Sequence, residues 1–258
     1  MKKSIFIFAA IFLAAASASA RTMPGDLLQG VQPGPDGKID ILTVFAHQDD
    51  EGIYGGGAIL KAMNDPRVHL HILCMTFDQT SDAIKNLKIT PDHSGKIRVK
   101  ELESAAAVYG ADEVIQFKYP SRTLPKNDPE KLINEIKDEI NRTHAEIVIT
   151  HDPAGFTGHW DHVACSKLAT EAFTRSNARV LYYPTLPKEL YRIVIGFQTY
   201  RTHGAPAVPD FNVDIKDQKK MKKLACYEHA SQMLFTSVGM TTDLILLMNH
   251  EYFAKITK

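Results

Sequence analysis

The 258-residue sequence is short of cysteine, of net charge and of long apolar runs, and each shortage removes a class of protein. Three cysteines, Cys74, Cys165 and Cys226, form no C-x-x-C pair and cannot make a disulfide framework. Thirty basic and thirty acidic side chains cancel, so no global basic field points to nucleic acid. The one long apolar stretch, Ile5 to Ala16, falls short of the ~20 residues a membrane span needs. There is no internal repeat and no linker between two halves. What is present is ordinary globular usage, 44% hydrophobic and 23% charged, which excludes disorder and low complexity. A chain of this length can bury most of its unfolded surface in a single core.

Lys2 and Lys3 precede the apolar stretch, and Ala18-Ser19-Ala20 follows it. A positive start, a short apolar run and an A-x-A site form the pattern of a secretory signal peptide. Residues 1–20 are therefore read as a signal peptide and residues 21–258 as one domain. The mature protein is expected to be exported, periplasmic or secreted, with no transmembrane span after cleavage; the alternative is an uncleaved N-terminal anchor. An odd number of thiols cannot pair fully within one chain, and three buried free thiols are expected.

The mature part alternates strand-like and helix-like segments. Ile39 to Ala46 is an apolar run without helical periodicity, as in a strand buried on both faces. Gly55-Gly56-Gly57 and a helix through Met63 follow it. Strands are expected at His69–Phe77, Val114–Phe117, Glu146–Thr150 and Val180–Tyr183. Helices are expected at Lys96–Tyr109, stopped by Gly110, at Pro129–Arg142, with Leu132, Ile133, Ile136 and Ile140 on one side, and at Asp161–Ser176. Pro184 to Pro209 reads as strands and loops over one edge. Lys216 to Ser231 reads as a lysine-rich helix whose charge run is a solvated face. The β-α-β-α order implies a Rossmann-like α/β fold, a mostly parallel sheet with helices on both faces.

Two polar clusters each follow a predicted strand. His47-Gln48-Asp49-Asp50-Glu51 comes directly after the first, where ligands of open α/β sheets bind. Four ionisable groups there are either a solvated turn or a metal site, because isolated buried charge is very costly. Gly158-His159-Trp160-Asp161-His162 follows the fourth strand at a helix start. A catalytic zinc takes three N, O or S donors and keeps one open position. With no usable cysteine pair, one His and one Asp from the first cluster plus one His from the second would complete such a set.

Ala46 to Glu51 resembles the AH-P-DDE signature of the PIG-L/LmbE-like family of N-acetylglucosaminylphosphatidylinositol de-N-acetylases, and Gly158 to His162 resembles its GH-x-DH signature. Arg98, Glu101, Ala105 and Tyr109-Gly110 look like its R-x-x-E helix. Val213-Asp214, Lys222, His229 and Ser231-Gln232 look like its C-terminal VD, K and H-x-SQ pattern. The resemblance implies a Rossmann-like fold and zinc-dependent removal of acyl groups, usually acetyl, from amino sugars. It makes His47, Asp50 and His162 the zinc ligands and Asp49 the general base. It makes His159 the group that stabilises the oxyanion and protonates the amine, with Asp161 setting its orientation and charge, and Arg98 a substrate contact. Glu51 is expected at the helix start, behind the ligands.

The chemistry accords with these residue types. Zinc polarises an amide carbonyl and lowers the pKa of its water toward ~7. Asp49, beside the ligand Asp50, can reach that water. A protonated His159 can meet the oxyanion, and the amine takes a proton from His159 or from Asp49. Gln48 and Trp160 stand where the family has prolines. Trp160 either walls the pocket, stacks on a sugar face or packs on the helix flank. Ser121 stands where many members carry an aspartate for sugar hydroxyls. His151 and His229 are the further histidines that could line the site, and Thr76 to Ser94 could form a lid. The expected partner is an N-acetylglucosamine-type sugar or glycoconjugate, with no nucleic acid. The rival readings are another metal-dependent amidase or phosphoester hydrolase, and a non-catalytic sugar-binding protein.

Overall fold

A computed structural model describes residues 22–77, 80, 84, 87–195, 204–234, 242, 243 and 245–258. The signal-peptide reading of residues 1–20 lies outside these, as do residues 78, 79, 81–83, 85 and 86 of the segment read as a lid.

Among the described residues the strands are β1 (Met23–Pro24), β2 (Ile39–Phe45), β3 (Val68–Thr76), β4 (Glu113–Tyr119), β5 (Ile147–Thr150), β6 (Val180–Thr185), β7 (Phe211–Asp214) and β8 (His250–Thr257). The longer helices are α1 (Asp50–Ala62), α2 (Pro91–Tyr109), α3 (Pro129–Arg142), α4 (Trp160–Arg175), α5 (Lys188–Ile195) and α6 (Lys219–Glu228), followed by the single turn α7 (Ala230–Met233). One eight-stranded sheet runs β1-β7-β8-β6-β5-β2-β3-β4. Every neighbouring pair is parallel except those of β8, which is antiparallel to both β6 and β7.

Local chemistry sets the helix limits. The Thr90 side chain accepts the His93 N–H and Pro91 opens α2, while Gly110, at φ 70°, closes it. The Asp128 carboxylate accepts the Glu130 N–H at the start of α3, again with proline in the first position. Every residue of β2 is buried, and its alternate side chains enter two apolar clusters. Ile41 and Phe45 pack with Ile53, Ile59, Leu102 and Tyr109 of α1 and α2. Leu42 and Val44 pack with Ile136 of α3 and Leu168 and Phe173 of α4. Burying each such side chain contributes about 1.5–3 kcal/mol.

The main parallel order changes direction at β2: β3 and β4 lie on one side of it, β5 and β6 on the other. That reversal opens a crevice beyond the carboxyl ends of β2 and β5. Both histidine-aspartate clusters sit there.

Three segments differ from expectation. The stretch after Pro184 contains helix α5, not only strands and loops. The lysine-rich segment breaks at His229 into α6 and α7. Its charge is not all solvated either, because Lys222 is 1% exposed. The Lys222 ammonium donates to Glu251 Oε1 at 2.6 Å and to the Ile53 carbonyl at 3.2 Å. Glu251, on β8, in turn accepts the N–H groups of Gly57 (2.9 Å) and Ala58 (2.7 Å). The buried ion pair is thus bonded to the backbone of α1 within its glycine run. There the absence of side chains permits close packing: a Cβ on Gly57 would lie 2.8 Å from Ile215.

Candidate active site

β2 ends at Phe45 and the chain turns sharply into α1. Asp49 takes φ 115° and ψ −23°, a conformation that costs a non-glycine residue on the order of 1–3 kcal/mol. The turn lets the Asp50 carboxylate fold back and accept the His47 N–H at 2.8 Å. After β5, a glycine turn carries the chain back into the crevice. Gly155 (φ 67°) has no space for a side chain, since a Cβ would lie 2.9 Å from the His162 Cβ. His159 caps α4, its Nδ1 accepting the Asp161 N–H at 3.1 Å.

The three residues expected to ligate a metal come together. His47 Nδ1 lies 2.9 Å from His162 Nε2 and 3.7 Å from Asp50 Oδ2. His162 Nε2 lies 3.5 Å from Asp50 Oδ1. Donors about 2.1 Å from one tetrahedral ion would stand ~3.4 Å apart, and the three distances, which take Asp50 through different oxygens, lie on either side of that value.

The hydrogen-bond partners fix which ring atoms carry protons. His162 Nδ1 faces the Gly155 carbonyl at 3.0 Å, an acceptor only, so it holds the ring proton and Nε2 presents a lone pair. His47 Nε2 faces Asp161 Oδ2 at 3.2 Å, so in the neutral ring it holds the proton and Nδ1 presents the lone pair. Burial pushes His162 down, favouring the neutral ring. Burial opposes the charge of Asp50, but His162, His151 and His47 outweigh it and hold the carboxyl far below its ordinary range. Two imidazole nitrogens and both oxygens of a carboxylate are thus close neighbours in the crevice, and two overlapping donor groups, His47–His159–His162 and Asp50–His151–His162, could each hold an ion by distance.

His151 also approaches, its Nε2 at 3.2 Å from Asp50 Oδ2. It can form a donor triad with Asp50 and His162 by distance alone. Orientation excludes it from sharing an ion with His162, because the two rings are stacked, 4.1 Å apart and 9° from parallel. An imidazole lone pair lies in its ring plane, and these planes do not meet near the donors. His151 Nε2 is also 3.2 Å from the Ala46 N–H, so the ring braces the end of β2.

Asp161, assigned from sequence to His159, also bonds His47 through its carboxylate. Its carboxylate also accepts the backbone N–H groups of Arg122 and Leu124. Burial disfavours its charge, but the His47 ring and the Arg122 N–H hold its carboxyl below the usual range. On His159 it acts through its N–H, which donates to Nδ1, and through its charge, which favours the protonated ring. A His159 ring nitrogen lies within 4.8 Å of the His47 and His162 donors. Burial, helped by the neighbouring His47, pushes His159 down to about 4, which favours the neutral ring at pH 7. With Nδ1 accepting from the backbone, its proton sits on Nε2.

Arg98, expected to meet substrate, is 1% exposed. Its guanidinium lies 3.5 Å from Asp49 Oδ1 and 3.9 Å from Glu101 Oε2, and it donates to the Gln48 carbonyl. The geometry makes it a support for the Asp49 turn. Glu51 is buried behind the ligands, bonded to the Asp49 N–H (3.1 Å) and to His229 (2.8 Å). Ser121 is buried beside the Asp161 contact, whereas Trp160 is 56% exposed beside His159. Gly155 and Thr157, which flank His162, were missed in the sequence. The signal was there, since a Gly-Phe-Thr-Gly run between a strand and a histidine pair marks a tight turn.

The family of GlcNAc-PI de-N-acetylases (PIG-L) matches residues 42–173, about half of the chain, including both clusters. The chain belongs to this family. It is 26% identical over 210 residues to a probable N-acetylglucosaminyl-phosphatidylinositol de-N-acetylase of Schizosaccharomyces pombe, covering 77% of this chain and 80% of that one. It is 27% identical over 246 residues to the 1D-myo-inositol 2-acetamido-2-deoxy-alpha-D-glucopyranoside deacetylase of Rhodococcus jostii, covering 77% and 83%. Among solved structures, the N,N'-diacetylchitobiose deacetylase of Pyrococcus horikoshii superposes with a TM-score of 0.63 at 23% identity, covering 90% of this chain and 88% of that one. The 4-carboxy-2-hydroxymuconate hydratase GalB of Pseudomonas putida superposes with a TM-score of 0.65 at 18% identity, covering 85% and 97%. The fold is thus shared with a hydratase, and the reaction must be argued from the site.

Proposed function

We propose that the protein is a zinc-dependent hydrolase that removes the acetyl group from an N-acetylglucosamine-type sugar or its conjugate. The observation that carries this reading is the closeness of His47 Nδ1, His162 Nε2 and the Asp50 carboxylate beside the strained Asp49 turn. His47, Asp50 and His162 would hold the ion. Nitrogen and carboxylate donors suit zinc, and the three cysteines are buried free thiols outside the set. When bound, zinc polarises the amide carbonyl and makes water a better nucleophile.

The chain's own groups do the rest. Asp49, held at its left-handed turn, accepts the proton of the attacking water. Neutral His159 donates its Nε2–H to the carbonyl oxygen as charge develops there. The C–N bond breaks once the amine takes the proton held by Asp49, since neutral His159 has no proton to spare for it. Acetate and the free amino sugar result. Asp161 acts one step back, fixing the His47 ring.

The same reading takes residues 1–20 as an export signal, so the substrate would be an envelope or extracellular glycan or conjugate. Among the described residues no helix is long and apolar enough to cross a membrane.

The reading is tested by acetate release from N-acetylglucosamine, N,N'-diacetylchitobiose, and lipid- and peptide-linked N-acetylglucosamine, with Asp49→Asn as control. Release that the control abolishes is expected. No release from any member, or cleavage of a phosphoester instead, would overturn it. N-terminal sequencing of the exported protein tests the signal, with Arg21 expected first.

A further inference from the structure

We infer that the break between α6 and α7 is a positioning element for Asp49, acting through two relays that end on its backbone and on its carboxylate. The inference rests on the reading of Asp49 as the proton acceptor. His229 stands at the break, with φ −81° and ψ 51°, and is fully buried. Its Nε2 donates to Glu51 Oε1 at 2.8 Å, and Glu51 Oε2 accepts the Asp49 N–H at 3.1 Å. The other His229 nitrogen is buried and makes no hydrogen bond. The ring therefore has one polar task, holding Glu51.

The second relay starts two residues on. Ser231 lies in the first turn of α7, where backbone N–H groups have no partner within the helix. Its N–H and its hydroxyl both bond the Glu101 carboxylate, at 2.8 and 2.7 Å. Glu101 pairs with Arg98, and Arg98 reaches Asp49 Oδ1 and the Gln48 carbonyl. One relay thus holds the amide of Asp49, and the other holds its side chain and the preceding carbonyl. Three separate parts of the chain, at 48–51, 98–101 and 229–231, meet there, and the residue they hold has the φ of 115°. The H-x-S spacing has a physical reason: the histidine ends one helix and the serine adds its hydroxyl to the spare N–H of the next, so that both Glu101 oxygens are held.

The test uses the full chain, zinc-loaded, as His229→Ala, Ser231→Ala and the conservative His229→Gln, whose amide can still donate to Glu51. Hydrogen exchange at the Asp49 amide is expected to speed up about tenfold or more in His229→Ala and to recover in His229→Gln. Acetate release from N,N'-diacetylchitobiose is expected to lose about tenfold or more in kcat in His229→Ala and about threefold in Ser231→Ala, whose N–H still reaches Glu101, with KM within about twofold and one zinc per chain retained. His229→Gln should restore most of the kcat. Wild-type kcat per zinc-loaded chain, or unchanged exchange at Asp49, would overturn the inference. An active Asp49→Asn, or a wild type that releases no acetate, would sink the reading beneath it, while the exchange result still decides whether the relays hold Asp49. An inactive Asp49→Asn beside unaffected His229 and Ser231 variants would sink this inference alone.

Discussion

Asp161 shows how much of the site's chemistry sits one bond behind the donors. Its carboxylate is fully buried, accepts two backbone N–H groups, and bonds the Nε2 of His47. That bond sets which His47 nitrogen faces Asp50 and His162. Asp161→Ala would leave the ring free to turn and to choose its tautomer. Metal affinity, measured by competition with a chelator, is expected to fall about 10–100-fold, as for other partners behind metal-bound histidines. An unchanged affinity would mean that the ring is held by packing alone. The sequence placed His47, Asp50, Asp161 and His162 at one sheet end because strands precede both clusters. It did not show the second partner of Asp161, since proximity in the chain pointed to His159 and the contact with His47 runs across the crevice.

Among the elements, α1 depends most on distant parts of the chain. Its glycine run lets Ile215 and the Lys222–Glu251 pair approach the helix backbone. Lys222→Met would leave Glu251 buried and unpaired, which typically costs about 3–5 kcal/mol, read as a lower urea midpoint. Replacing both partners with apolar groups often restores stability, but here Glu251 also accepts the Gly57 and Ala58 N–H groups. Lys222→Met combined with Glu251→Leu is therefore expected to stay destabilised, and full recovery would show that α1 does not rely on these bonds. The central strands β2 and β5 were legible as apolar runs lacking a helical period. β8 was not, because Glu251 and Lys255 interrupt its pattern and the reason for a buried glutamate lies 29 residues away at Lys222. α5 hides between prolines, and Lys222 looks like its exposed neighbours until the fold buries it.

For the whole molecule, the buried histidines of the site are expected to make stability depend on pH. Folded His159 takes up a proton only near pH 4, against 6.5 for an ordinary histidine, and His162 is pushed down as well. Between those values the unfolded chain binds more protons, so metal-free protein loses stability as the pH falls from 6.5 toward 4, and these groups contribute no slope above 6.5. Glu146 and Asp152, both raised by burial, oppose this at the acid end. The urea midpoint of chelator-stripped protein is expected to fall with pH across that window, and to fall less in His159→Gln. An equal fall in both would remove His159 from the explanation. On the proposed function, zinc added to the stripped protein is expected to raise the midpoint, because a site assembled from distant residues exists only in the folded chain. The central claim, that one ion on His47, Asp50 and His162 carries amide hydrolysis, is tested most directly by titrating zinc into metal-free protein while following acetate release from N,N'-diacetylchitobiose. The account predicts a linear rise that ends at one zinc per chain and is absent in His162→Ala; full release without metal, or a rise that continues to two, would contradict it.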